Sequence, residues 1–133
     1  MLTTHDLPTV TGVWTGADEA ELVELGRPTP PEEVAAVRDR LDRLVDLEPG
    51  SPVEDVVAVA HRALSEGASA LVLGTLEDLC GVSRRPNLPG TTSEERLSWS
   101  TALPLAVDDL PSDEGAKRTI RALAEPRSPG ATG

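Results

Sequence analysis

The sequence predicts an α/β layered fold that is mostly helical along its length, and three observations carry that prediction. Two helices with clear start signals follow one another, a single short apolar run comes next, and a Pro/Gly-rich polar loop leaves the end of that run. Helix, helix, strand and helix, with a polar loop at the carboxyl end of the strand, is the order found in a slice through β/α layers. Functional residues gather on such loops.

The first element is a short helix over residues 18–26, where Asp18 is placed to cap, Glu21 follows three residues on, and Gly26 stands where a helix stops. The second is better marked. Thr29-Pro30-Pro31-Glu32 has the form of a capping box with proline at the first helical position, and Val34, Val37, Leu41, Leu44 and Val45 follow at spacings of three and four. Ser51-Pro52-Val53-Glu54 repeats the start signal, and Val53, Val56, Val57, Ala60 and Leu64 continue one apolar face until Gly67. Two such helices in succession predict an antiparallel pair. Ala68-Ser69-Ala70-Leu71-Val72-Leu73 is too short for a helix and reads as a strand buried on both faces. Thr75-Leu76-Glu77-Asp78-Leu79-Cys80-Gly81 then reads as one capped helical turn closed by Gly81, leading into the loop through Pro86, Pro89 and Gly90. A last helix is predicted over residues 112–124, ahead of a disordered tail at residues 126–133.

Composition narrows the function classes. The chain has 133 residues and a net charge of −11, with the acidic excess concentrated over residues 18–55, which argues against nucleic acid and anionic membranes as partners. Trp14 and Trp99 are its only aromatic residues, so the core has to be built from Leu, Val and Ala. Cys80 is the single cysteine, which excludes an intrachain disulfide or a multi-cysteine metal site within the chain. No stretch approaches the ~20 apolar residues of a membrane span, and the start lacks the pattern of a signal peptide, so a cytoplasmic setting is expected.

Three short strings carry chemistry. Thr4-His5-Asp6-Leu7-Pro8-Thr9-Val10-Thr11-Gly12-Val13-Trp14, then Leu76-Glu77-Asp78-Leu79-Cys80-Gly81, then Arg85-Pro86-Asn87-Leu88-Pro89-Gly90-Thr91 resemble, in order and spacing, the carboxyl-terminal signatures of the 4-alpha-glucanotransferases, or amylomaltases. The resemblance covers residues 1–110, with 111–125 as a terminal helix. It implies the carboxyl-terminal slice of a (β/α)8 barrel of the alpha-amylase superfamily, with residues 1–4 as the end of strand seven and 68–73 as strand eight. It also implies transfer of alpha-1,4-glucan segments to the 4-hydroxyl of an acceptor sugar with retained configuration, no cofactor or metal, and alpha-1,4-glucans and maltooligosaccharides as partners. No protein partner is implied.

Retention needs a carboxylate nucleophile and a carboxylic acid/base about 5 Å apart. The family adds a third carboxylate, and by resemblance Asp6 is that transition-state stabiliser. An ionised carboxylate suits the role because its hydrogen bonds to vicinal hydroxyls strengthen as the sugar ring gains positive charge. His5 is implied as a substrate-binding donor, and Asn87 as a glucan-contacting or loop-fixing residue.

The departures from the pattern are equally specific. The strands that bear the nucleophile and the acid/base lie upstream in the family, so this chain alone is expected to be inactive. Ser98-Trp99 stands where the family has Asn-Trp, and the linker Glu94-Glu95-Arg96-Leu97 is atypical. Taken without the other strings, His5-Asp6 reads as a surface turn before Pro8. Glu77-Asp78 reads equally as first-turn charge favoured by the helix dipole and as a structural or substrate contact. His61 reads as a helix-packing histidine, Cys80 as a buried thiol, and each tryptophan as a core or loop anchor that could also stack on a sugar. Two other readings stay open at this point: a non-catalytic glucan-binding module, and an unrelated helical interaction domain.

Overall fold

Thr9 starts the first helix, α1 (Val10–Thr15), its hydroxyl accepting from the Gly12 backbone N–H at 2.9 Å. The structure, a computed structural model, describes residues 1–124. The predicted disordered tail lies outside the described residues. Sequence periodicity does not announce α1, because six residues rich in valine, threonine and glycine form a poor helix by propensity. Tertiary partners hold it instead. The Val10 N–H donates to the Asp78 carboxylate, and Trp14 is buried with its Nε1 donating to the Ser51 carbonyl at 3.1 Å.

Gly16 separates α1 from α2 (Ala17–Glu24), which ends at Gly26 as expected: the Arg27 N–H reaches back to the Leu22 carbonyl at 2.8 Å. Asp18 is not the cap of α2. It lies within the first turn, buried, and its carboxylate serves a distant arginine.

Helices α3 (Pro31–Val45) and α4 (Val53–Ser65) form where the apolar spacing places them, but both expected capping boxes are absent. Pro30 and Pro52 occupy the caps, and neither helix has a side-chain cap bond. The causes are local. Pro30 precedes another proline, which excludes it from helical backbone angles and leaves it extended at ψ 134°, so Thr29 falls one position too early. Ser51 is drawn into the preceding turn, where its hydroxyl donates to the Glu48 carbonyl at 2.7 Å.

α4 is the central element. Val56, Val57 and Ala60 join Val10, Trp14 and Val45 in one buried cluster, with Leu2, Leu41, Leu47, Val53 and Val59 packed around it. The core is thus aliphatic with one aromatic anchor. The face that α4 turns to α6 (Glu114–Ala124) is met by the small buried residues Ala116, Thr119 and Ala122, which allow close approach. Ser65 Oγ crosses to the Ala122 carbonyl at 3.1 Å. Asp113 starts α6 by accepting from the Ala116 N–H at 2.8 Å. A short 3₁₀ turn, Val107–Asp109, precedes it.

Among the described residues no β-strand forms, which corrects the expectation for residues 1–4 and 68–73. A strand is defined by ladder bonds to a neighbour, and neither segment has one to pair with here. Residues 68–73 are without regular structure and largely exposed instead of buried on both faces, with Leu71 at 73% and Leu73 at 51% of full exposure. The single turn α5 (Leu76–Leu79) matches its prediction: Thr75 Oγ1 caps the Asp78 N–H, and Gly81, at φ 64°, lets Val82 N–H return to the Glu77 carbonyl at 2.9 Å.

Candidate functional site

The three strings that are separate in sequence meet in space, and buried polar groups bring them together. Asp78, 1% exposed, is the clamp between the first two. One carboxylate oxygen accepts from Thr3 Oγ1 at 2.5 Å and the other from the Val10 N–H at 2.9 Å, so both ends of the segment carrying His5 and Asp6 are tied to α5. Of the two readings open for Asp78, the structural one holds. His61 is fully buried behind it, with Nδ1 donating to the Val57 carbonyl at 2.8 Å and Nε2 lying 3.9 Å from the Asp78 carboxylate.

The third string closes over the first. Asn87 accounts for both ends of the contact: its backbone N–H donates to the His5 carbonyl at 3.0 Å, and its side-chain Nδ2 donates to Asp6 Oδ1 at 2.6 Å. Arg85 adds a bond from Nη1 to the Asp6 carbonyl at 3.0 Å. That arginine is itself held by a two-pronged pair with Asp18, from Nε at 2.7 Å and from Nη2 at 2.5 Å, in which both side chains are 11% exposed.

Arg85 is in turn met by a buried arginine, Arg96. Arg96 has a 1% exposed side chain; it donates through Nε to Glu21 at 2.9 Å and through Nη2 to the Arg85 carbonyl at 2.5 Å. Burial pushes the Glu21 carboxyl up, but hydrogen bonds and charge from Arg96 and Arg84 outweigh it and hold the group below its ordinary range. The atypical linker is therefore a strut of the site, with Arg96 as its anchor. Ser98 Oγ accepts from Arg96 Nη1 at 3.2 Å and from the Leu88 N–H at 3.3 Å.

His5 and Asp6 sit at the surface of this frame, with side chains 54% and 44% exposed and 3.4 Å between His5 Nε2 and Asp6 Oδ1. The Trp99 ring lies against the His5 ring, with centroids 5.0 Å apart and planes tilted by 42°. The result is a half-open carboxylate, an imidazole and an indole side by side on a rigid backing. Such a set can accept hydrogen bonds from hydroxyls, donate to them, and stack on an apolar ring face. It holds one carboxylate, whereas double displacement at a glycosidic bond uses two more.

The structure brings His5, Asp6 and Asn87 together, and Arg85, Asp18, Arg96 and Glu21, which no motif in the sequence singled out, hold them. Arg85 lies in the quoted third string, yet its partner is 67 residues away and nothing local marks it. Cys80 is half-buried, not buried, and burial together with the Asp113 and Glu77 carboxylates pushes its thiol up, away from nucleophilic use. Among the described residues no three His, Cys, Asp or Glu side chains cluster as metal ligands, and no helix is long and apolar enough to cross a membrane.

The family profile described as 4-alpha-glucanotransferase matches residues 1–106. The chain belongs to the 4-alpha-glucanotransferase family. Relatives named 4-alpha-glucanotransferase in Mycobacterium bovis and Mycobacterium tuberculosis are 33% identical over 142 aligned positions, which cover 92% of this chain and 19% of each relative. The crystal structure of amylomaltase from Corynebacterium glutamicum superposes with a TM-score of 0.78 at 25% identity, over 91% of this chain and 21% of that one. The chain thus spans about a fifth of the length of the glucanotransferases it matches. Family membership sets aside the reading as an unrelated helical domain.

Proposed function

We propose that this chain carries the third-carboxylate corner of a retaining alpha-1,4-glucan transfer site, with Asp6 as the transition-state stabiliser and His5 and Asn87 as substrate-binding residues. The observation that supports this best is the state of Asp6: its position is set by the 2.6 Å bond from Asn87, while 44% of its side chain stays open to solvent. A carboxylate so held keeps acceptor capacity for vicinal sugar hydroxyls, and those bonds strengthen as positive charge develops on the ring. His5, 54% exposed and beside it, supplies a donor for a neighbouring hydroxyl.

In this reading the nucleophile and the acid/base come from strands that precede these in the family, and residues 1–4 and 68–73 are ends of barrel strands seven and eight. Exposed Leu71 and Leu73 support that placement, since an apolar run left open to water is suited to burial in a sheet. Asp6 alone cannot carry out a double displacement, so the chain alone releases no glucose from maltotriose.

The test exchanges residues 1–106 into the Corynebacterium glutamicum amylomaltase in place of the matching segment. The chimera should disproportionate maltotriose, and Asp6→Asn within it should lower kcat by about a hundredfold or more with little change in folding. Full activity of the Asp6→Asn chimera would overturn the assignment of Asp6. Glucose release by the 133-residue chain alone would overturn the division of labour.

A further inference from the structure

We infer that Trp99 is a sugar platform: the open face of its indole takes a glucosyl ring of an alpha-1,4-glucan next to Asp6. The inference rests on the glucan reading of the site. Its starting point is the contrast between the chain's two aromatic residues. Trp14 is 6% exposed and anchors the core, whereas Trp99 is 67% exposed, so it does no core packing. Its backbone nonetheless sits at φ 61°, a left-handed conformation that a bulky residue adopts only where its surroundings impose it.

The surroundings do impose it. The Trp99 N–H donates to the Pro86 carbonyl at 2.8 Å, the preceding Ser98 bridges Leu88 and Arg96, and Arg96 is locked on Glu21. These bonds fix the Trp99 backbone, and the ring projects into the open with its centroid 5.0 Å from that of His5. An anchor would be expected to bury its ring, since that is where an indole contributes most to stability. An exposed ring on a fixed backbone beside His5 and Asp6 fits a ligand with a flat apolar face and polar edges. The net charge of −11 disfavours a nucleobase on a phosphate chain. A neutral pyranose matches: its axial C–H groups lie on the electron-rich indole face while its hydroxyls reach Asp6 and His5.

Titration of the ¹⁵N-labelled chain with maltoheptaose tests this, because the two indole N–H signals report separately. Trp14 Nε1 is bonded to the Ser51 carbonyl, and Trp99→Phe identifies the other signal by deleting it. The Trp99 signal should move saturably and the Trp14 signal should stay. Trp99→Phe, which keeps a ring, should bind within about threefold of the wild type, and Trp99→Gly should weaken binding by about tenfold. Trp99→Gly relieves the left-handed backbone, so lost binding cannot be blamed on lost folding. If the Asp6 and Asn87 signals shift while that of Trp99 does not, or if Trp99→Gly binds as tightly as the wild type, the platform is refuted and the Asp6 reading stands. A shift at Trp99 without one at Asp6 supports the platform and refutes that reading. No shift at any of them refutes both.

Discussion

Asn87 donates to the carboxylate of Asp6 at 2.6 Å across 81 residues of sequence, and its backbone N–H holds the neighbouring His5 carbonyl at 3.0 Å. One residue thus sets both the side chain and the backbone of the His5-Asp6 turn. Asn87→Ala removes only the first of these bonds. Because Asp6 is half exposed, water replaces much of what is lost, and the expected destabilisation is about 1 kcal/mol by urea denaturation. The Asp6 side chain should meanwhile lose its fixed orientation, seen as averaged Cβ proton couplings. A loss well above that size would mean that Asn87 holds more of the fold than this turn.

The pair of Asp18 and Arg85 behaves differently because Asp18 is buried and Arg85 is mostly covered. Asp18→Ala leaves a mostly covered guanidinium with no carboxylate, for an expected loss of about 2–3 kcal/mol in urea denaturation. Arg85 also holds the Asp6 carbonyl, so the same variant should loosen the His5-Asp6 turn, measured as faster amide exchange there. Unchanged stability would show the pair to be dispensable.

Gly12 tests how closely α1 approaches the loop that leads to Arg85. A Cβ there would lie 2.5 Å from the Ser83 carbonyl oxygen and 3.1 Å from Thr9 Oγ1, and the nearest neighbour is backbone that cannot rotate away. Gly12→Ala should therefore destabilise by about 1–3 kcal/mol in thermal and urea unfolding, although alanine is the better helix former. A stabilising Gly12→Ala would show that the loop yields.

Glu21 makes stability depend on acid. Its folded carboxyl lies below the ordinary value of 4.5, so the folded state binds that proton more weakly than the unfolded state. Its contribution is complete above the ordinary value and is lost as pH falls through the lower folded value. The urea midpoint should fall between about pH 5 and about pH 3, and Glu21→Gln should shrink that fall while lowering stability at neutral pH. An equally steep fall in the variant would assign the effect to other carboxylates.

Local signals in the sequence located most of the helices and their ends. The apolar spacing of Val34 to Val45 and of Val53 to Leu64 located α3 and α4, Thr75 and Gly81 delimited α5, and Gly26 ended α2. They failed where a neighbour far along the chain decided the outcome. α1 forms against its own propensity because Asp78 and the core hold it, and residues 68–73 form no strand because a strand exists only beside another. Thr29 and Ser51 were misread for smaller reasons, a proline after Pro30 and a competing turn at Glu48.

The sequence by itself determined the family signature and the positions of α3, α4 and α5, and it named His5, Asp6 and Asn87 as candidates, because each depends on residue type and short spacing. Only the tertiary structure decided what holds that trio. Buried Asp78 clamps its first segment, and Arg85 and Arg96 are fixed by Asp18 and Glu21 on α2. It also separated the two tryptophans, sending Trp14 to the core and leaving Trp99 open beside His5. The reason is that pairing between buried charges is chosen by geometry across the whole chain, and no local pattern of residues encodes which arginine meets which carboxylate.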